Sequence, residues 1–420
     1  MTEFVRTTRL ENGVRVVTEM VRDVPSVALG IWVDIGSRYE EERICGIAHF
    51  VEHLLFKGTP TRSARGIAEE IERRGGSIDA FTDKEYTCYH ARVLHEHAGE
   101  ALDILADIVL HAEPRSEDIE LEREVVIQEI LDVEDDPEEF IHDHLLSSYW
   151  PGHPLGAPVA GSVSSVERIT RDDILGFLRD FRRPDRIVVA AAGRLDHDDV
   201  VARCRSIFGS LEPRSGIERS LDRPDFRPGL YVVKREIEQA HMMIGLPGLS
   251  VTDPRRETAE VLIAALGGGM SSRLFQRIRE ERGKAYSVYA FQDPFHDIGY
   301  TGVYAACARD AVAEVSNIVF EELRSISHDG LGPGELDRVR TQLVGSIPLS
   351  LETTDSRMSR IGRNELYFDR PLSLDEIVGS IEAVTNEDII TLARELFSFD
   401  RTAAVLLGDV EAGLLALPVM

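Results

Sequence analysis

The chain reads as an α+β protein built from two homologous halves, and three observations lead there. First, fragments recur at one spacing: Glu120-Leu121-Glu122-Arg123 reappears as Glu335-Leu336-Asp337-Arg338, and the stretch from Asp185 to Gly193 reappears as Asp400 to Gly408, each 215 positions on. Val16 and Val232, in similar strand-like runs, are 216 apart. A single offset sustained along a chain marks an internal duplication. Second, continuous apolar runs alternate with stretches of 3.6-residue apolar spacing, the mark of buried strands interleaved with helices. Third, 420 residues of ordinary globular composition, 43% hydrophobic and 29% charged, suffice for two full cores. The expected division is 1–215, a linker at 216–228 within the Pro, Arg and Gly-rich stretch from Glu212 to Gly229, and 229–420.

Taken in order, Val14 to Val17 and Val27 to Val33 read as strands, and Gly46 to Phe56 reads as a helix because Ile47, Phe50, Val51, Leu54 and Leu55 recur at helical intervals. Helices follow over 64–74, 96–112, 116–134 and 139–149, from their periodicity and acidic first turns. Gly75-Gly76 is a helix stop, after which Ile78 to Thr82 and Tyr86 to Val93 read as a strand pair. Ile187 to Ala192 is a further buried strand.

The most informative segment is His49-Phe50-Val51-Glu52-His53. Helical geometry places His49 and His53 one turn apart on a shared face, so both imidazoles can converge on one ion. Zinc suits such ligands because it accepts neutral imidazole and carboxylate and leaves a position open. Glu52, beside the second histidine, is placed to take a proton from water and pass it to a leaving amine. The competing reading is an amphipathic helix whose polar face carries His, Glu and His by chance; a third ligand decides between them. The helical, acidic stretch from Leu121 to Ile130 offers one.

Here the chain resembles the inverzincin metallopeptidases of the pitrilysin and mitochondrial processing peptidase group, which carry this inverted motif. The resemblance implies Glu129 as third zinc ligand, with 75 residues between it and His53, and Glu122, seven residues earlier, as a carboxylate orienting a ligand imidazole. It implies one Zn2+ per chain. In the second half, Gly267 to Phe275 leads into Ile278-Arg279-Glu280-Glu281-Arg282-Gly283-Lys284-Ala285-Tyr286, similar to the family's arginine and tyrosine segment. By that match Arg279 and Tyr286 hold the substrate backbone and stabilise the developing oxyanion. Lys284 departs from the apolar residue of relatives.

The family binds extended peptides on a sheet edge, which implies substrate contacts from Asp79, Ala80, Phe81 and Thr82, with Asp79 where relatives carry asparagine. Phe56 matches a position lining the pocket after the scissile bond, and Glu139 with Asp143 a pair that receives an arginine. The family fold is implied too: α/β-sandwich halves, each a mixed, mostly antiparallel sheet covered by helices, forming half of a clamshell. Closing a chamber then takes a second chain. A homodimer is the simplest arrangement, and a heterodimer with an inactive homologue is the alternative.

The second half lacks the metal ligands, because the 215 offset sends His49 to Ala264, Glu52 to Gly267, His53 to Gly268 and Glu129 to Val344. A net charge of −27 argues against nucleic acid and anionic membrane as partners, which need a basic footprint; an acidic interior would welcome basic peptides, while solubility accounts for most of the surplus. No lysine follows Gly267 to Gly269 at phosphate-loop spacing. Cys45, Cys88, Cys204 and Cys307 have no paired spacing and read as thiols. The first residues have no signal-like apolar core and no window reaches membrane-span length, so the expectation is a cytoplasmic zinc endopeptidase, against the rivals of a subunit active only with a zinc-less partner and a non-catalytic scaffold.

Overall fold

The computed structural model of the protein describes residues 5–213 and 222–415, so the expected boundary at 215 and linker residues 216–221 lie outside the described residues. Two compact units emerge, and each carries one sheet.

The first unit gathers the described residues within Met1–Leu131, Ala157–Ser220 and Leu349–Ser373. Its strands are β1 (Val5–Arg9), β2 (Arg15–Met20), β3 (Ser26–Val33), β4 (Ser77–Thr82), β5 (Thr87–Leu94) and β6 (Ile187–Gly193), in the order β1-β2-β6-β3-β5-β4. Only β2 and β6 run parallel; the other pairs are antiparallel. The second unit, the described residues within Asp132–Gly156, Leu221–Pro348 and Leu374–Met420, holds β7 (Gly229–Lys234), β8 (Ala240–Gly248), β9 (Ala285–Pro294), β10 (Gly299–Cys307) and β11 (Ala403–Gly408). Their order is β7-β11-β8-β10-β9, again with one parallel pair, β7 and β11. The duplication seen in the sequence is therefore a duplication of topology: β2, β6 and β3 correspond to β7, β11 and β8.

The central strands β3 and β6 are buried on both faces, which explains their unbroken apolar runs. One face of the first sheet carries the main core, with Leu29, Ile31, Tyr89, Val189 and Ala191 packed against Phe50, Val51, Leu54, Leu105 and Val109 from helices Ile47–Leu55 (α1) and Ala98–His111. The other face has its own layer: Val17, Ala28, Trp32, Val188 and Ala190 meet Met358 and Ile361 of the helix Thr354–Phe368. That helix comes from the second half of the chain. Reciprocally, the helix Pro137–Tyr149 of the first half supplies Ile141, Leu145, Leu146 and Tyr149 to a layer with Met243, Tyr300, Tyr304, Val405 and Leu407 of the second sheet. The units thus depart from the expected division 1–215 and 229–420 by an exchange of one helix each, because each helix has its apolar partners on the other half's sheet.

Glycines at matching positions admit these helices. A Cβ on Gly30 of β3 would lie 2.5 Å from Met358 Sδ, and one on Gly245 of β8 would lie 3.0 Å from Leu145 Cδ2. Close approach at these two points is what lets a helix lie flat on each sheet. Trp32 Nε1–H donates to Met358 Sδ at 3.3 Å, and Arg357 and Arg360 pair with buried Glu19, so the imported helix is held by polar contacts as well. Among the described residues no helix is long and apolar enough to cross a membrane.

Replacing the buried Met358 by alanine removes the centre of this layer and is expected to cost about 2–4 kcal/mol of stability, read from denaturant unfolding against the wild type.

Candidate functional site

The helix α1 places the motif. Phe50, Val51, Leu54 and Leu55 turn into the core, which leaves His49, Glu52 and His53 on the opposite side. Nine residues make a helix too short to persist by propensity, so its position depends on its anchors. The first turn is held by Glu40, whose Oε2 accepts from Gly46 N and whose Oε1 accepts from Ala48 N, both at 2.7 Å. Glu40 is only 8% exposed. Burial pushes its carboxyl up to about 7, against the opposing pull of those two amides.

His49, His53 and Glu129 are brought together: one ligand atom from each lies within 4.8 Å of the others. His53 Nε2 and His49 Nε2 stand 3.4 Å and 3.7 Å from the same oxygen, Glu129 Oε2. Those separations exceed a hydrogen bond and suit donors gathered around a shared ion, since tetrahedral ligands at zinc distances sit about 3.3 Å apart. Glu122 accepts from His53 Nδ1 at 3.2 Å. A carboxylate only accepts, so Nδ1 carries the proton and Nε2 presents its lone pair toward Glu129. Burial, and then the neighbouring His53, lowers the His49 pKa to about 4, which keeps that imidazole neutral at neutral pH. The donor set fits zinc. Glu129 remains 45% exposed, so the site is open to solvent on its side.

Glu52 lies behind this set, and burial raises its carboxyl above the usual carboxylate range while the Thr82 hydroxyl and His53 oppose the shift. Thr82 Oγ1 donates to Glu52 Oε2 at 2.5 Å. The strand that bears Thr82, β4, is an edge of the first sheet. Its residues split between two faces: Ile78 and Ala80 pack toward the main core, while Phe81 joins the Trp32 layer. Asp79 Oδ1 accepts from Ala80 N at 2.8 Å, so this carboxylate occupies an edge-strand amide. Phe56, at the C-terminal end of α1, stacks obliquely on Tyr89 with centroids 5.8 Å apart.

The remaining expected residues belong to the second unit. Arg279 stacks over the rings of Tyr286 and Phe275, at 4.6 Å and 4.7 Å from their centroids. Tyr286 is 77% exposed, an unusual state for a strand tyrosine and one suited to contact with another molecule. Glu139 and Asp143 line a cavity of about 520 Å³ with Val133, Asp136, Glu138 and His142. Tyr289 O–H donates to Glu138 at 2.8 Å and its oxygen is 2.9 Å from His142 Nε2. Gly267, the first of the glycine triad, closes the helix Arg256–Gly267 and sits so near Ala290 of β9 that an added Cβ would lie 2.3 Å from its nitrogen. That contact is packing within the second unit.

Sequence reasoning missed three participants. Lys57, four residues beyond His53, forms an ion pair with the other oxygen of Glu122; its helical spacing was the available signal. Glu40 and the Thr82 link to Glu52 left no signal, because loop-to-helix and strand-to-helix contacts have no fixed spacing. Cys45, four residues before His49, turns its thiol to Pro158 O at 3.8 Å and is not in the donor set.

Two imidazoles and a carboxylate around one point, with a half-buried glutamate beside them, define the metallopeptidase class of sites. Residues 15–163 match the family model described as Insulinase (Peptidase family M16), and residues 168–343 match that of the Peptidase M16 inactive domain. The chain belongs to peptidase family M16. An uncharacterized zinc protease of Bacillus subtilis is 41% identical over 94% of this chain and 96% of its own length. One of Mycobacterium tuberculosis is 43% identical over 96% of this chain and 92% of its own. Among solved structures, a peptidase M16 inactive domain from Pseudomonas fluorescens superposes with a TM-score of 0.90 at 20% identity, over 97% of this chain and 98% of that one. A Helicobacter pylori protease gives 0.89 at 19% identity, over 97% and 100%. These two share the fold.

Glu40→Ala removes two bonds from the first turn of α1 and is expected to cost about 1–2 kcal/mol in a denaturant melt, with weaker retention of added zinc in a chelator competition. The pH response of the metal-free protein follows from His49. The unfolded chain takes up a proton near pH 6.5 and the folded protein only near 4, so stability falls as the pH drops through that window. Thermal melts between pH 7 and 4, with His49→Asn as the comparison, should show a smaller acid loss in the variant.

Proposed function

We propose that this protein is a cytoplasmic zinc endopeptidase that cuts unfolded, extended peptides, with basic segments preferred, inside a chamber closed by a second copy of the chain. The single observation that carries the reading is the convergence of His49, His53 and Glu129 beside Glu52, with the open edge strand β4 hydrogen-bonded to that same Glu52.

One zinc ion per chain, held by His49, His53 and Glu129, supplies Lewis acidity and makes water more acidic when it is bound. A peptide added to β4 by main-chain pairing lies along Glu52, and only unfolded segments offer a free strand. Glu52 takes the proton of the attacking water and delivers it to the leaving amine. Burial favours the second half of that task, because a raised carboxyl pKa holds the proton until the amine needs it. Glu122 keeps the His53 ring oriented, and Lys57 balances the charge of Glu122. In this reading Arg279 and Tyr286 hold the substrate backbone and donate to the developing oxyanion. Asp79, Ala80, Phe81 and Thr82 form the docking edge, Phe56 lines the pocket after the scissile bond, and the acidic cavity at Glu139 and Asp143 receives a guanidinium.

The test is hydrolysis of an unstructured basic fluorogenic peptide by purified protein and by Glu52→Gln, with zinc measured in both. Wild type is expected to cut, to stop on chelation and to resume with zinc, while the variant keeps its zinc and loses at least about a hundredfold in kcat. Zinc without cleavage in the wild type would point to a heterodimer with an inactive homologue, and absence of zinc from both would remove the enzymatic reading in favour of a scaffold.

A further inference from the structure

The strongest feature that the peptidase reading leaves unassigned is the short contact between an edge-strand hydroxyl and the motif carboxylate. We infer that Thr82 is a positioning residue for Glu52: its hydroxyl holds Oε2, turns the carboxylate to a fixed orientation and leaves Oε1 as the oxygen that exchanges protons. The inference rests on the peptidase reading of Glu52 given above, and it leaves the main chain of Thr82 in the docking edge.

Four points support it. The Oγ1 to Oε2 distance is 2.5 Å, in the range of a charge-assisted O–H···O bond, and no other hydrogen bond reaches the Glu52 carboxylate among the described residues. A hydroxyl has one proton to donate, so a threonine committed to Glu52 cannot also donate to a peptide. The face of β4 that Thr82 shares with Ile78 and Ala80 is the core face, where the alternation calls for an apolar side chain. Valine would satisfy packing there; the hydroxyl has a use only toward Glu52. Thr82 is also the last residue of β4, paired with Thr87 of β5, so its backbone is fixed by the sheet and its side chain is a rigid arm. The strand that would receive the peptide therefore also sets the base.

The experiment compares wild type, Thr82→Val and Thr82→Ser. Valine keeps the volume and loses the hydroxyl; serine keeps the hydroxyl. The expected result is a kcat about tenfold or more lower in Thr82→Val with KM within about twofold, recovery to within a few-fold in Thr82→Ser, and zinc content unchanged in both. In a Glu52→Gln background, binding of the uncut peptide should be the same with Thr82 or valine. A rise in KM with kcat unchanged, or weaker peptide binding in that background, would make Thr82 a substrate contact and overturn the inference. A second readout does not depend on cleavage. Melting shifts of Thr82→Val, Glu52→Ala and the double variant should be non-additive if the two side chains are coupled; additive shifts would sink the inference even in an active enzyme. Failure of the wild type to cut any peptide would count against the peptidase reading, while the melting cycle would still decide the Thr82 to Glu52 bond.

Discussion

Two imidazoles one helical turn apart hold an ion only as steadily as the helix that carries them, and α1 is nine residues long. Such a helix has little stability of its own, so it is fixed from outside. Its apolar side is locked into the first core, and Glu40 takes two amide protons of its first turn from a buried position. The side chains are then fixed in turn: Glu122 sets the tautomer of His53, Lys57 pairs with Glu122, and Thr82 holds Glu52. Each contact comes from a different element, a loop, the 116–135 helix and an edge strand. The donor set is a product of this surrounding frame more than of the motif.

The same economy appears at the scale of the sheets. A sheet buried on both faces needs two covering layers, and in each unit one of them arrives from the other half of the chain. The imported helix Thr354–Phe368 brings apolar residues for the Trp32 layer and arginines for buried Glu19. The helix Pro137–Tyr149 does the equivalent for the second sheet with Leu145 against Gly245. The exchanged helices therefore tie the burial of each sheet to residues from both halves of the chain. Duplication without retained metal ligands in the second copy fits this picture: the scaffold demands are met twice, the chemistry once.

Charge is used unevenly. Most of the acidic surplus lies on solvated helix faces, but Glu40, Glu52 and Glu122 are drawn inward around α1, and each has a partner that makes its burial tolerable: backbone amides, a hydroxyl, and an imidazole with an ammonium. In the second unit, half-buried Glu138 is paired with the hydroxyls of Tyr289 and Tyr304.

By itself the sequence determined the duplication, the elements it named in the first half to within a few residues, and the shared face of His49, Glu52 and His53, because those features are periodic and a local pattern is enough to carry them; Glu129 and Glu122 followed from the family resemblance, since no local pattern links them to the motif. The helix at 137–149 was legible as a helix, yet its place on the second sheet was not: an amphipathic face shows that it needs a partner without showing which one. The same holds for Thr82, which reads as one more strand residue until the fold sets it 2.5 Å from Glu52, and for Glu40, which lies in a loop. Tertiary structure decided these because they depend on distances between elements far apart in the chain, and such distances leave no period in the residues.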